Sequence, residues 1–350
     1  MKQKVKNKFK SIQFYLPIIL ISAFLWHACG NKESKKTETE EIAVHEVKST
    51  ATVTFSYSDV MGIGVDSVYN RRDPSDVIKV GNKYYVWYSR MDSPITSGYW
   101  ATIWYATSED EGHTWNEKGM ALGLGEEGAF DSHSVFTPNI LAHKGKYYLY
   151  YTAVKPTLGN PDKKFEGNHT TDFTAIGVAV ADSPDGPFKR IVNNPVIVHS
   201  EVVSDFDSYR VDDASMMVRD GKIWLYYKGR CIEHGKEGPK RTEMGVAMAD
   251  SPEGPFEKKG SLLDKGHEVL IWKEGKGVSC LASISQSINY AKDGLQFSMQ
   301  HDSLENIPKA PGLYRPHLEN GNPDVGIPGW GIAMNGRKGL TYLLRYEMTK

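Results

Sequence analysis

Apolar residues along this chain gather in short aromatic-rich runs, each entered through a glycine-containing turn: GNKYYVWYS (81–89), KGKYYLYYT (144–152) and DGKIWLYYK (220–228). Runs of β-branched and aromatic residues bounded by turn residues predict a hairpin leading into a strand. The text around the runs repeats. Upstream, FDSHSVFTPNIL (130–141) aligns without a gap on FDSYRVDDASMM (206–217), and downstream IGVAVADSPDGPF (176–188) matches MGVAMADSPEGPF (244–256), with IWYATSEDEGHTW (103–115) a looser copy. The interval is too long for a solenoid rung and suits a four-stranded blade with insertions. NYAKDGLQF (289–297) reads as a fourth, worn copy, GWGIAMNGRKGLTYLLRYEM (329–348) offers two strands of a fifth unit, and residues 52–66 can add the strand that closes the ring. Closure would leave no open sheet edge. The pattern predicts an all-β, five-bladed β-propeller with no helix, and it places no repeat in RPHLENGNPDVGIPGW (315–330), where Arg315 and His317 could reach a cleft.

One repeat is a structural signature. SEDEGHTW (108–115) follows the Ser-x-Asp-x-Gly-x-Thr-Trp pattern of an Asp-box hairpin, in which Asp110 bonds turn amides, Gly112 supplies backbone freedom and Trp115 packs beneath. Asp110 is therefore read as a turn residue rather than a reacting one.

Composition adds a compartment. With 350 residues, 40% of them hydrophobic, the chain can bury one large core. Its start carries Lys2, Lys4, Lys6, Lys8 and Lys10 ahead of an apolar stretch from Phe14 to Trp26 that is too short for a membrane span. Ala28-Cys29-Gly30 resembles the lipobox of bacterial lipoproteins, although Trp26 stands where leucine is usual. The expected organisation is a signal peptide over 1–28, a lipidated Cys29 with a charged tether over 29–51, and one catalytic domain over 52–350, anchored by lipid in the periplasm or outer membrane. Net charge is −1 with all five of those lysines included, so the body is mildly acidic and nucleic acid is not expected as a partner. Cys231 and Cys280 remain, either paired or as two buried thiols, and no cysteine cluster suggests a metal.

Chemistry is expected where equivalent strands begin, because the innermost strands of a propeller converge on one mouth. The starts read YNRRDPSDVI (69–78), HSVFTPNIL (133–141), YRVDDASMM (209–217) and GHEVLIW (266–272), and three of the four carry acids. Carboxylates from separate blades with Arg71, Arg72 and Arg210 nearby fit a glycosidase centre, in which one group protonates the leaving oxygen and another activates water. The spacing H-E-x-x-H would suggest zinc, but Ile271 stands in place of the second histidine. Neighbours in a regular strand face opposite ways, so His267 and Glu268 can share a cleft only at a break such as Gly266 provides.

Together, RRDPSDVIKVGNKYYVWY, FDSHSVFTPNIL, TAIGVAVADSPDGPF, DDASMMVRDGKIWLYYKGR and GHEVLIWKEGKGV resemble glycoside hydrolase family 117, the α-1,3-(3,6-anhydro)-L-galactosidases, over roughly residues 60 to 300. The resemblance implies an inverting, exo-acting five-bladed propeller, usually dimeric, that removes terminal 3,6-anhydro-L-galactose from neoagaro-oligosaccharides of agar. It implies Asp73 as the base, with Asp76 as fallback, and a second acid that is Asp213 or Asp212. Alignment on the tyrosine runs pairs Asp212 with Asp73, whereas matching DASMM to the Asp-Pro pattern selects Asp213, the preferred reading. It further implies His267 or Glu268 as general acid; a histidine pKa of about 6.5 suits donation near neutrality. His133 aligns with Tyr209 and Thr137 with Asp213, which makes His133, Thr137, Arg72 and Arg210 candidate sugar contacts, with Trp104 and Tyr105 as a stacking face. No cofactor is required by this reading, although a divalent cation in the central channel is compatible with it. The alternatives are a propeller glycosidase directed at arabinan or xylan, and a surface lipoprotein that binds sugar without turnover.

Overall fold

Successive side chains of a strand face opposite ways, so a run that is apolar at every position must be buried on both faces. The computed structural model describes residues 52–91, 101–155, 173–267, 270–316, 329–337 and 340–350. The chain divides into Met1–Glu46 and Val47–Lys350, and all of the described residues belong to the second unit. The expected signal peptide, Cys29 and tether lie outside the described residues, as do Glu268 and His317.

In chain order the strands are β1 (Thr54–Asp59), β2 (Asn70–Arg72), β3 (Val77–Val80), β4 (Lys83–Met91), β5 (Thr102–Ser108) and β6 (Asn116–Leu122). There follow β7 (Ser134–His143), β8 (Lys146–Lys155), β9 (Phe173–Ala181), β10 (Lys189–Arg190) and β11 (Ile197–Val198). A third set is β12 (Arg210–Arg219), β13 (Lys222–Arg230), β14 (Glu243–Ala249) and β15 (Glu257–Leu263), and a fourth is β16 (Leu270–Glu274), β17 (Gly277–Ala282), β18 (Ser287–Ala291) and β19 (Ser298–His301). The last strands are β20 (Lys309–Arg315), β21 (Trp330–Arg337) and β22 (Leu340–Thr349). Antiparallel ladders make five groups of four: β3 to β6, β7 to β10, β12 to β15, β16 to β19, and β20 to β22 completed on the outside by β1.

These groups form four hydrogen-bonded sheets rather than five, because β20 pairs in parallel with β3 and fuses the last group to the first. Among the described residues an apolar cluster fills each of the five interfaces between consecutive groups, with a further small one around Met91 and Phe136 between the first and second. Within β4, Tyr85 and Trp87 turn toward Leu149 and Tyr151 of β8, while Tyr84, Val86 and Tyr88 turn toward Ile332 of β21 and Leu343 of β22. The run in β13 divides in the same way: Leu225 and Tyr227 face the second group, and Trp224 and Tyr226 face the fourth. The fifth cluster, around Trp272, Leu313 and Tyr346, joins the fourth group to the last. Fully burying each such side chain stabilises by about 1.5–3 kcal/mol, which is why the aromatics are consecutive.

The repeated text corresponds to repeated contacts. Asp131 accepts Tyr151 Oη at 2.9 Å and Arg190 Nε at 2.5 Å; its counterpart Asp207 accepts Tyr227 Oη at 2.9 Å and Lys258 Nζ at 2.6 Å. In the Asp-box, Asp110 accepts the Thr114 N–H at 2.8 Å, Gly112 holds φ 83°, and buried Trp115 donates to the Gly112 carbonyl at 2.8 Å. The expectation of no helix is corrected by a short 3-10 stretch, Ile232–Lys240, broken at Gly235. Cys231 and Cys280 form no disulfide: Cys231 Sγ donates to Val203 O at 3.4 Å, and burial within β17 pushes the Cys280 thiol up to about 12.

Candidate active site

The site is built on one defect repeated from group to group. In β7 the ladder to β8 slips between Phe136 and Asn139; in β12 it slips between Asp212 and Ser215, and in β20 between Lys309 and Gly312. In the first group Arg72 pairs with Ser89, while Ser75 N donates to Trp87 O at 2.7 Å, the same one-residue slip. The residue entering each slip has a left-handed backbone: Asp73 (φ 49°), Thr137 (43°), Asp213 (52°) and Ala310 (41°). A bulge re-aims its side chain out of the sheet, and each left-handed non-glycine residue costs about 1–3 kcal/mol. All four residues line one cavity, with about 410 Å³ of atom-free space including its open mouth, and Leu270 at the start of β16 completes the wall. In the fourth group His267 O accepts from Ser283 N at 3.0 Å and Leu270 pairs with Leu281, so the slip recurs between His267 and Leu270.

A hydrogen-bonded arc runs behind these residues through the position opposite each slip. Ser89 Oγ lies 3.4 Å from Asp73 Oδ2 and accepts the Thr137 N–H at 2.9 Å. Thr137 Oγ1 meets Thr152 Oγ1 at 2.5 Å, and Thr152 Oγ1 accepts the Asp213 N–H at 3.3 Å. Lys228 Nζ then contacts Asp213 Oδ2 at 2.5 Å, Asp212 Oδ1 at 3.2 Å and His267 Nε2 at 3.4 Å, and His267 Nδ1 lies 3.3 Å from Ser283 Oγ. Ser89, Thr152, Lys228 and Ser283 are thus one position in four groups, each supporting its neighbours.

Neighbouring acids are driven to different charge states. Asp212 is fully buried, and burial would raise its pKa, but Arg210, Lys228 and Arg230 outweigh this and hold the carboxyl well below the usual range. Asp213 opens to the cavity. Its pKa is raised, by burial first and by the charges of Asp212 and Asp73, against the pull of Lys228. His267 is lowered from 6.5 to about 2, by burial and then by the charges of Lys228, Arg230 and Arg210, with Asp212 pulling the other way. Burial and these cations hold the ring toward its neutral form.

The structure brings Asp73, Thr137 and Asp213 together on the cavity and ties His267 to them through Lys228. Arg72 Nε holds Asp73 Oδ2 at 2.7 Å. Of the alternative acids, Asp213 and not Asp212 shares the bulge position of Asp73, because the slip falls after Asp212. Arg210 is buried against Asp212 rather than lining the cavity. Asp76, the fallback base, is fully buried and bonded to Arg315, so neither faces the cavity. Trp104 is likewise committed elsewhere, its ring covered by the Arg90 guanidinium 3.6 Å away; Tyr105 stacks on Trp87. His133 does hold the place of Tyr209, since His133 N donates to Val154 O at 3.2 Å and Tyr209 N to Arg230 O at 2.9 Å, but it does not line the cavity. Lys228 escaped notice in the sequence, although it is the one charged residue closing an aromatic run. Among the described residues no group of three or more His, Cys, Asp or Glu is placed to hold a metal ion.

Residues 68–235 match the family model "Glycosyl hydrolases family 43". Similar curated proteins include Xylosidase/arabinosidase 43A of Humicola insolens, 28% identical over 134 residues (35% of this chain, 34% of that protein). Extracellular endo-alpha-(1->5)-L-arabinanase 2 of Bacillus subtilis is 27% identical over 146 residues, covering 40% of this chain and 26% of that protein. The matches thus span about a third or less of these relatives. Among solved structures, Zg3597, a family 117 glycoside hydrolase produced by the marine bacterium Zobellia galactanivorans, superposes with a TM-score of 0.73 at 30% identity, covering 85% of this chain and 90% of that one. The chain belongs to glycoside hydrolase family 117.

Neutral His267 makes stability depend on pH. Between the ordinary value and about 2 the unfolded chain carries a proton on this ring that the folded chain does not, so stability is full above pH 6.5 and is lost as pH falls. At pH 5 the loss from this residue is about 2 kcal/mol. Urea unfolding at pH 7 and pH 5 is expected to show His267→Gln losing about 2 kcal/mol less than wild type on acidification; equal losses in both would refute the assignment.

Proposed function

We propose that this protein is an exo-acting, inverting α-1,3-(3,6-anhydro)-L-galactosidase that removes the terminal anhydro sugar from neoagaro-oligosaccharides. Membership of family 117 supports this reading. The observation that carries it is the placement of Asp73 and Asp213 at equivalent bulges of different groups on one cavity. On this reading the five groups are the blades of a closed five-bladed propeller, with the parallel β20–β3 pair as its seam.

Asp73, turned toward the cavity by its bulge, is the base that activates water. Asp213, whose raised pKa reflects burial and repulsion by the neighbouring acids, tunes the site. His267 and Glu268 are the candidate proton donors, one donating and the other tuning or orienting it. The chemistry is assigned to side chains alone. Lipid attachment at Cys29, location in the periplasm or outer membrane, a role in agar degradation and homodimerisation belong to the same proposal.

The test is a substrate panel. Neoagarobiose and neoagarotetraose are expected to yield 3,6-anhydro-L-galactose from the non-reducing end, with the initial product anomer inverted by proton NMR. Arabino- and xylo-oligosaccharides are expected to remain intact. The family 43 match and the arabinanase relatives favour a second reading, a propeller hydrolase acting on arabinan or xylan. Release of arabinose or xylose with neoagarobiose untouched would select it, and binding without turnover would select a sugar-binding lipoprotein.

A further inference from the structure

Two residues beyond each left-handed residue the strands offer a second ring of positions: Ser75, Asn139, Ser215 and Gly312, with Leu270 in the fourth group. Ser75 Oγ is already spent, donating to Asp76 O at 2.7 Å and accepting the Trp87 N–H at 3.0 Å, and Leu270 and Gly312 carry no polar side chain. What remains for the cavity is Asn139 Oδ1 and Ser215 Oγ. Both residues line it, Asn139 is 7% and Ser215 2% exposed, and neither atom meets a partner among the described residues. The Asn139 amide cannot turn to change this. Its Nδ2 donates to Asp76 Oδ2 at 3.3 Å, and a carboxylate paired with Arg315 only accepts, so Oδ1 stays the atom left over. Buried polar atoms left unpaired are costly, whereas one water bonded to both satisfies them.

We propose that Asn139 and Ser215 are positioning residues that hold a water between Asn139 Oδ1 and Ser215 Oγ, and that this is the water Asp73 activates. The inference rests on the reaction assigned above for the fate of that water, and on geometry alone for its place. Arg72 Nε at 2.7 Å and Ser89 Oγ at 3.4 Å both meet Asp73 Oδ2, which leaves Oδ1 to take a proton. The bonds then balance. The water donates one hydrogen to Asp73 Oδ1 and the other to Asn139 Oδ1, accepts from the Ser215 hydroxyl with one lone pair, and keeps the second for the anomeric carbon. In the step itself that lone pair forms the new C–O bond and the water's proton passes to Asp73. The glycosidic bond breaks with its electron pair going to the leaving oxygen, which takes a proton from the His267-Glu268 pair. Holding the water on fixed atoms supplies orientation before the attack begins. Because Ser215 Oγ bonds nothing in the protein, removing it takes away no hydrogen bond that folding uses.

The test has a crystallographic and a kinetic arm, both in the full-length protein. The unliganded wild type at high resolution is expected to show a water within about 3.2 Å of both atoms, lost or displaced in Ser215→Ala. An empty floor overturns the proposal, as does a metal ion recognised by anomalous scattering and ligand distances of about 2.0–2.6 Å. In Ser215→Ala the thermal midpoint is expected to stay within about 2 °C of wild type, while kcat on neoagarobiose falls at least about tenfold with KM little changed. Ser215→Thr, which keeps the hydroxyl, is expected to recover most of that loss. A role in packing alone would move unfolding and spare kcat, so unchanged kcat in Ser215→Ala overturns the proposal even with the water in place. The crystallographic arm needs no substrate. Inactivity of wild type on neoagarobiose refutes the assigned function instead, and the kinetic comparison then runs on whichever arabino- or xylo-oligosaccharide is cleaved.

Discussion

Asp73→Asn is expected to lower kcat on neoagarobiose by about 10²–10⁴-fold while the protein stays folded and still binds sugar. The substitution is nearly isosteric, and the amide oxygen can go on accepting from Arg72 Nε, which now meets the carboxylate at 2.7 Å. Folding should therefore survive, because the left-handed backbone at φ 49° also suits asparagine. What disappears is the ability to take a proton from water. A base acts in the transition state, so kcat and kcat/KM should fall together with KM little changed. Steady-state kinetics and calorimetric titration with substrate decide the matter: turnover above about a tenth of wild type, in a variant with an unaltered near-UV spectrum, would remove Asp73 from the base role. The parallel variant Glu268→Gln should suffer a comparable loss if it is the donor, whereas His267→Gln should lose less.

How far all this was legible in the sequence depends on the length scale. The strands were, because an aromatic run buried on both faces leaves a continuous apolar signature, and YYVWY at 84–88 divides between two interfaces just as period two requires. The strand β20 was not. Its Ala310-Pro311-Gly312 reads as a turn, yet the glycine is there because a Cβ would sit 1.8 Å from the Ser75 carbonyl oxygen of the neighbouring strand, a constraint no local pattern records. The acids were found by their repeated position at the strand starts, but the choice between Asp212 and Asp213 turned on a one-residue slip. Such a slip exchanges inward for outward and leaves composition unchanged. Trp104 misled for a related reason: an aromatic ring is a sugar platform only if a face is open, and Arg90 covers this one. Lys228 closes the run YYK, and nothing in its local pattern marks it as a site residue. Only the fold shows that the equivalent ends, Ser89, Thr152 and Ser283, all turn toward the site.

The largest loss of stability is expected from Asp76→Ala. Asp76 is 0% exposed and accepts from Arg315 Nε at 2.5 Å, from Leu313 N at 2.8 Å and from Asn139 Nδ2 at 3.3 Å; Arg315 in turn donates to Ile271 O at 2.8 Å. One ion pair thereby ties the first strands of four groups, β3, β7, β16 and β20, where the first group meets the last. Alanine removes the acceptor and leaves a buried guanidinium without its counterion, which costs about 3–5 kcal/mol. At roughly 2–4 °C per kcal/mol, thermal unfolding should move down by about 6–20 °C. Replacing Arg315 as well, in Asp76→Ala/Arg315→Met, should recover part of this, since two apolar groups bury more cheaply than one stranded charge. A shift below about 3 °C for the single variant would show that the tie carries little. The same pair also separates the two candidate bases. Below its unfolding transition Asp76→Asn should retain most turnover, because Asp73 still faces the cavity; a folded Asp76→Asn as inactive as Asp73→Asn would transfer the base role to Asp76 and require the register of the first group to be redrawn.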